Sequence, residues 1–285
     1  MKFSLLLLTT LLLVSGVFSL GEDRIGAFYY YLQYEPKQCY TIPCAQYRAT
    51  KANSNESFNI LGISFISGIN ANDFLKQSEN VVIYGTLGGT QYKDHFNLAS
   101  IAAFKPLPQT TSLSKTLAPL YSFKSSGIVC IKAPCPSMSA VLVNSGQTTN
   151  IVGETEPYSS TVTLFDKDWF FGRFYQEGNP KLLAQGSIVN STFAISNAFI
   201  SLPDPASPCP KVSKPLCNKP GTVGIFTRDQ NRCVSSAGCV EGGACILSIP
   251  VCPSGYRLSS YPGGKFGCPV YNCDAKFLKE TVVPK

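Results

Sequence analysis

The chain has 285 residues, with 24 Lys and Arg against 17 Asp and Glu, one His and 12 Cys. The net charge of +7 comes without a dense basic cluster or a reading motif, which argues against nucleic acid as a partner. A single histidine disfavours His-dependent hydrolases and His-ligated zinc, and twelve cysteines point to an oxidised, exported protein.

Residues 1–19 read as a secretory signal: Lys2 opens it, 5–17 form the apolar run, and Val17-Phe18-Ser19 stand at the cleavage site. That run is too short for a comfortable membrane span, and no other stretch approaches eighteen uninterrupted apolar residues. Neither a retention signal nor an apolar anchor ends the chain. The mature protein is therefore expected to be secreted, extracellular and without a membrane span. Residues 20–208 carry thirteen basic and thirteen acidic residues, whereas 209–285 carry ten and four. The basic excess on the last segment reads first as solubility, and second as a face for acidic polysaccharide or an acidic protein.

Residues 20–208 are long enough to bury a core, and their pattern is β. Strands are predicted over 28–34, 47–52, 58–66, 81–87 and 96–104, all rich in β-branched or aromatic residues. Leu87-Gly88-Gly89-Thr90 reads as a hairpin turn, and 72–78 as a short helix with Asn72 as N-cap. Further strands are predicted over 120–123, 139–143, 161–165, 169–175, 182–189 and 193–202. Asp166-Lys167-Asp168 reads as a solvated turn before the apolar run Trp169-Phe170-Phe171.

The second half echoes the first. Tyr30 stands nine residues before Cys39, and Tyr121 nine before Cys130. Cys39-x4-Cys44 matches Cys130-x4-Cys135, each with proline before its second cysteine. Tyr84-Gly85-Thr86-Leu87 resembles Gln185-Gly186-Ser187-Ile188, and Ala103-Phe104 resembles Ala198-Phe199. Two related copies, about 28–108 and 120–204, are thus expected in one compact antiparallel sandwich or barrel-like body, since a copy of this size would be marginal alone. Each Cys-x4-Cys pair most simply closes its own loop; bonding between copies is the alternative.

The tail, 209–285, holds eight cysteines in two units, Cys209-x7-Cys217-x15-Cys233-x5-Cys239 and Cys245-x6-Cys252-x15-Cys268-x4-Cys273. The agreement at four landmarks reads as a tandem duplication. Segments this short and rich in Gly and Pro need staples, so disulfides are expected and little regular structure. No Cys-x2-Cys pair supports zinc, and no metal or other cofactor is expected. Within one unit three connectivities stay open.

Candidate chemistry is sparse. His95 lacks a nucleophile elbow to serve and reads as a surface or packing residue, and no catalytic residue is expected. Glu154, Glu156, Asp166 and Asp168 cluster loosely without the look of a glycosidase pair or a calcium loop. The aromatics of 28–34 and 169–175 read as core first and as a sugar platform second. Asn55 and Asn190 head glycosylation sequons in predicted turns.

The aromatic strand with Cys39-x4-Cys44, the run Gly127-Ile128-Val129-Cys130-x4-Cys135-Pro136-Ser137, and the tail from Arg228-Asp229 through Gly267-Cys268-Pro269 to Cys273-Asp274 resemble an uncharacterised secreted family of bacterial and amoebal proteins. That family is a domain of unknown function, so the resemblance implies export and architecture but no activity. Cys252-Pro253-Ser254-Gly255-Tyr256 followed by Gly267-Cys268-Pro269 is similar to antistasin-type protease inhibitors. Their modules carry six cysteines where each unit here has four. That similarity implies a protease-facing basic residue, with Arg232 and Arg257 as candidates. The leading reading is a non-enzymatic extracellular protein that binds a protein or glycan; a secreted protease inhibitor acting through the tail is the alternative.

Overall fold

The computed structural model describes residues 26–35, 43–66, 69, 74–75, 81–109, 118–175, 179–246 and 248–281. The expected signal segment and Cys39 lie outside them. So does most of the short helix expected over 72–78, of which Phe74 and Leu75 are helical.

Strand alternation organises the body. In β1 (Phe28–Tyr34), Tyr30 and Leu32 enter one apolar cluster while Tyr29 and Tyr31 pack on a second. The first cluster is the core of the leading half, built with β2 (Tyr47–Lys51), β3 (Ser57–Ser64), β4 (Val81–Gly89) and β5 (His95–Pro106). The second lies between the halves: Val82 and Phe104 from the first meet Leu120, Val143, Leu183 and Phe199 from the other. The aromatic residues of β1 are therefore packed on both sides as far as Tyr31, and only Tyr34, beside Tyr47, is left exposed.

The second half comprises β6 (Leu120–Ser125), β7 (Met138–Leu142), β8 (Thr148–Ile151), β9 (Gly153–Thr155), β10 (Leu182–Val189) and β11 (Thr192–Leu202). One sheet runs β3-β2-β1-β4-β5-β11-β10-β6-β7-β8. It turns back on itself twice in a ring-like manner, through parallel pairing of β3 with β5 and of β9 with β11. The order of the first five strands thus recurs in the next six. Both halves also bulge at the same place, before Gly85 and before Gly186. A Cβ at those glycines would sit 2.3 Å from the Ala99 carbonyl oxygen and 2.2 Å from that of Ala194, so the close strand approach requires glycine.

The halves are joined by β5 pairing with β11 and by two exchanged asparagines. Asn53 and Asn144 each adopt positive φ, 59° and 65°, a conformation that Asn tolerates. The Asn53 amide donates to the carbonyls of Leu120 and Val143, and its oxygen accepts from the Leu120 N–H at 2.8 Å. Asn144 does the same in reverse, donating to Tyr29 and Ala52 and accepting from the Tyr29 N–H.

Several expectations change. Residues 169–175 are not a strand: α1 (Lys167–Phe174) buries Trp169, Phe170 and Phe174 in the second-half core. Asp166 is its N-cap rather than part of a solvated turn, accepting from the Trp169 N–H at 2.9 Å. Of the second expected aromatic set, these three rings are buried, Phe171 is half-buried and Tyr175 is exposed. Residues 161–165 form turns, not a strand. The Gly88-Gly89 pair continues β4 opposite Asn97 and Phe96, and the chain reverses beyond it, with Asp94 at φ 63°.

The tail is more regular than expected. It forms two hairpins, β12 (Thr222–Arg228) with β13 (Val234–Glu241) and β14 (Tyr256–Pro262) with β15 (Pro269–Ala275). Disulfides join first to third and second to fourth cysteines in both units: Cys209–Cys233, Cys217–Cys239, Cys245–Cys268 and Cys252–Cys273. The glycines after each second cysteine, Gly221 and Gly255, sit at φ 76° and 84°, where a side chain would be strained. The tail packs on the body. Tyr256, Cys273, Ala275 and Leu278 belong to the same cluster as Phe170 and Phe193. The Cys273 N–H donates to the Leu164 carbonyl, and the Tyr256 hydroxyl to that of Pro108.

Candidate functional site: a buried charge clamp and disulfide-bracketed loops

Six charged side chains meet where tail and body join. Asp166 and Arg173 come from the start and end of α1, Asp204 from the exit of β11, Arg228 and Arg232 from the first tail hairpin, and Asp274 from β15. Asp204 is the hub. It accepts from Arg173 Nε at 2.5 Å and from the Trp169 indole at 3.3 Å, and Arg232 Nη2 lies 3.4 Å away. Asp274 lies 2.5 Å from Arg228 Nη2 and 3.7 Å from Arg232 Nη1. Arg228 Nε faces Asp166 at 3.2 Å. The Arg232 guanidinium also lies 5.9 Å from the Trp169 ring centre.

Three positive and three negative groups balance inside a buried junction where each guanidinium faces a carboxylate, although Arg228 Nε and Arg232 Nη1 reach Asp166 and Asp274 only at ion-pair distance, without a hydrogen bond. Burial pushes the Arg232 guanidinium below its ordinary pKa, against the pull of Asp274 and Asp204. Burial likewise raises the Asp166 carboxyl, opposed by Arg228 and the helix N–H. The arrangement clamps two parts of the chain together.

This overturns Arg232 as a protease-facing residue, because its side chain is 0% exposed. Arg257 is tied too: it donates to the Leu278 carbonyl and pairs with Glu280 at 3.1 Å, holding down the last described segment. Both arginines looked like surface residues because their partners are distant in sequence. A cavity of about 410 Å³ adjoins the clamp, lined by Lys181, Asp229 and the prolines 203, 205, 208 and 210 beside Arg173 and Asp204.

Other sequence candidates are dispersed. His95 Nδ1 lies 2.9 Å from the Lys93 carbonyl, with no serine or carboxylate bonded to the ring among the described residues. Glu156 accepts from the Tyr158 and Ser159 N–H groups, and Glu154 from the Tyr175 hydroxyl. Burial raises the Glu154 carboxyl while that hydroxyl lowers it. These carboxylates serve different turns and do not face a common point. Asn55 is exposed in the β2–β3 connection, and Asn190 is exposed at the β10–β11 turn with φ 49°. Cys44 is disulfide-bonded, and Cys130 bonds Cys135.

The surface feature that sequence reasoning missed is a set of aliphatic side chains in cysteine-bracketed loops. Val129 and Ile131 flank Cys130 at 95% and 109% exposure; Leu216 precedes Cys217 at 89%. Ile246, Ile249 and Val251, between Cys245 and Cys252, are 86%, 70% and 92% exposed. No other large apolar side chain among the described residues exceeds 58%. The signal was available, as apolar residues directly beside cysteines in Pro-containing loops too short to bury them. The loop between β6 and β7 is exposed from Gly127 to Pro134. Its feet are fastened by the Ser126 hydroxyl donating to the Pro136 carbonyl and by the Ser126 N–H to the Ser137 carbonyl. The main-chain groups of Val129 to Ala133 have no partner within the described protein.

A model for a domain of unknown function, DUF6748, matches residues 66–186, from just after β3 into β10. An uncharacterised protein of Dictyostelium discoideum is 35% identical over 291 residues, covering 98% of each chain. No solved structure matches.

Proposed function

We propose, for a chain that belongs to this family of uncharacterised DUF6748 proteins, a secreted, non-enzymatic role in which rigid disulfide-bracketed loops make the contacts. The observation that supports it is the placing in such loops of all six aliphatic side chains that are at least 70% exposed among the described residues, while the charged residues with chemical potential are committed to the clamp and to turns. A loop held by a disulfide loses little conformational entropy on binding, so exposed apolar groups there are efficient contact points. Expressed in a eukaryotic secretory host, the protein is expected in the medium, without free thiols, and with faster gel mobility after N-glycan removal from Asn55 or Asn190. A thiol-rich, unglycosylated product retained inside the cell would refute the reading.

Protease inhibition is the second reading, moved from the arginines to Lys132. This lysine is exposed at the centre of the Cys130–Cys135 ring, and its neighbours' uncommitted main chain is available to pair with a cleft edge, as bound peptides do. Non-reduced protein is then expected to inhibit a trypsin-like protease, with Lys132→Ala or reduction weakening inhibition at least about tenfold, the weight of one buried charge-assisted contact. Cleavage after Lys132 without inhibition would sink this reading.

A further inference from the structure

One end of the tail combines exposed apolar groups with lysines. Pro215 packs over Gly224 of β12, where a Cβ would lie 2.6 Å from the proline ring. Val223 packs against Gly267, and Phe266 against Gly243. The Cys245–Cys268 disulfide ties the start of the Ile246 loop to the same turn. Leu216, Val223, Ile246 and Phe266 are thus exposed on segments fastened to one another. Exposed lysines adjoin them in the chain: Lys214 next to Pro215, Lys219 just before β12 and Lys265 next to Phe266, with Lys211 also exposed upstream of Lys214. Lys265 lies 4.9 Å from the Phe266 ring centre, Lys219 makes a surface pair with Glu241, and Lys211 and Lys214 make no ion pair among the described residues.

We propose that this end of the tail docks on an anionic lipid surface. The inference rests on reading the bracketed loops as contact elements and gives the tail's loops a partner. Its composition separates lipid from protein. Protein interfaces favour Tyr, Trp and Arg and are poor in Lys, and they need a surface that a partner can match. Here the groups are aliphatic and Lys, with the tail's arginines withdrawn into the clamp or tied to the C-terminal segment. Leu216 and Ile246, nearly as exposed as in an isolated chain, project instead of lining a groove. Projecting aliphatic side chains enter the acyl boundary, and lysines snorkel to the headgroups around them. A juxtaposed positive rim adds attraction that salt screens.

The test is cosedimentation of non-reduced, full-length secreted protein with vesicles of phosphatidylcholine alone or mixed equally with phosphatidylserine. Binding is expected to the mixed vesicles only, and to weaken at high salt. The pair Leu216→Ser/Ile246→Ser and the pair Lys214→Glu/Lys265→Glu should each weaken it at least about tenfold, whereas Ile101→Ser/Val189→Ser, exposed apolar positions outside the bracketed loops, should leave it unchanged. All sites are exposed, so an unchanged urea midpoint certifies each variant's fold. Vesicle binding indifferent to the aliphatic pair, or competed fully by heparin, would make the tail a polyanion binder and overturn the proposal. So would failure of the wild type to bind either vesicle. If that protein is nonetheless secreted and glycosylated, the lipid partner fails while the extracellular reading stands.

Discussion

Arg232→Leu is expected to cost about 3–5 kcal/mol of stability, because it leaves three buried carboxylates, Asp166, Asp204 and Asp274, facing only Arg173 and Arg228. Loss of the bond to the Asp204 carbonyl, 2.8 Å from Nη2, adds an unmet acceptor. Urea unfolding followed through Trp169, the sole tryptophan and a member of the clamp, reads the loss directly. Arg257→Leu is the control. Its partner Glu280 is 77% exposed, so solvent screens the pair and a change under about 1 kcal/mol is expected. Equal losses for the two arginines would contradict the distinction between a buried clamp and a surface tie.

The second large effect concerns the staple nearest the body. Cys252–Cys273 and Cys217–Cys239 span 21 and 22 residues, so chain entropy alone assigns each about 3 kcal/mol. They differ in surroundings. Cys273 is buried in the second-half core, with Cys252 packed on its edge, whereas Cys239 lies in the solvent-facing first hairpin. Cys252→Ser/Cys273→Ser therefore also puts a hydroxyl among Phe170, Ala275 and Leu278, and should cost about 1–3 kcal/mol more than Cys217→Ser/Cys239→Ser. Thermal unfolding of the two double variants gives the comparison. Limited proteolysis should release the tail from the first and leave it on the second. A larger loss for Cys217–Cys239 would mean that the tail is not anchored through β15.

Much of the body was legible because alternation is a local signal. The limits of β1 and β10 agree with the pattern of apolar residues to the residue, and β4, β5, β6 and β11 extend theirs by a few positions. The matching Tyr-Gly and Gln-Gly pairs, legible in the sequence only as an echo between the halves, fall at the two bulges. The run after Asp166 was misread because four bulky apolar residues carry no clear period. The capping aspartate three residues before Trp169 was the local cue for a helix. The short strands β8 and β9 passed unnoticed, being polar and defined by pairing with β7 and β11.

By itself the sequence determined a β-rich, cysteine-stapled protein, since side-chain period and cysteine spacing act over short distances. Only the tertiary structure decided which cysteines join, that two exchanged asparagines bind the halves, and that the basic tail hides its arginines. Asp204 and Arg232 are 28 residues apart, and Arg228 and Asp274 are 46. A charge reads as surface until folding brings an opposite charge close enough to repay its desolvation, and that depends on how the hairpins dock.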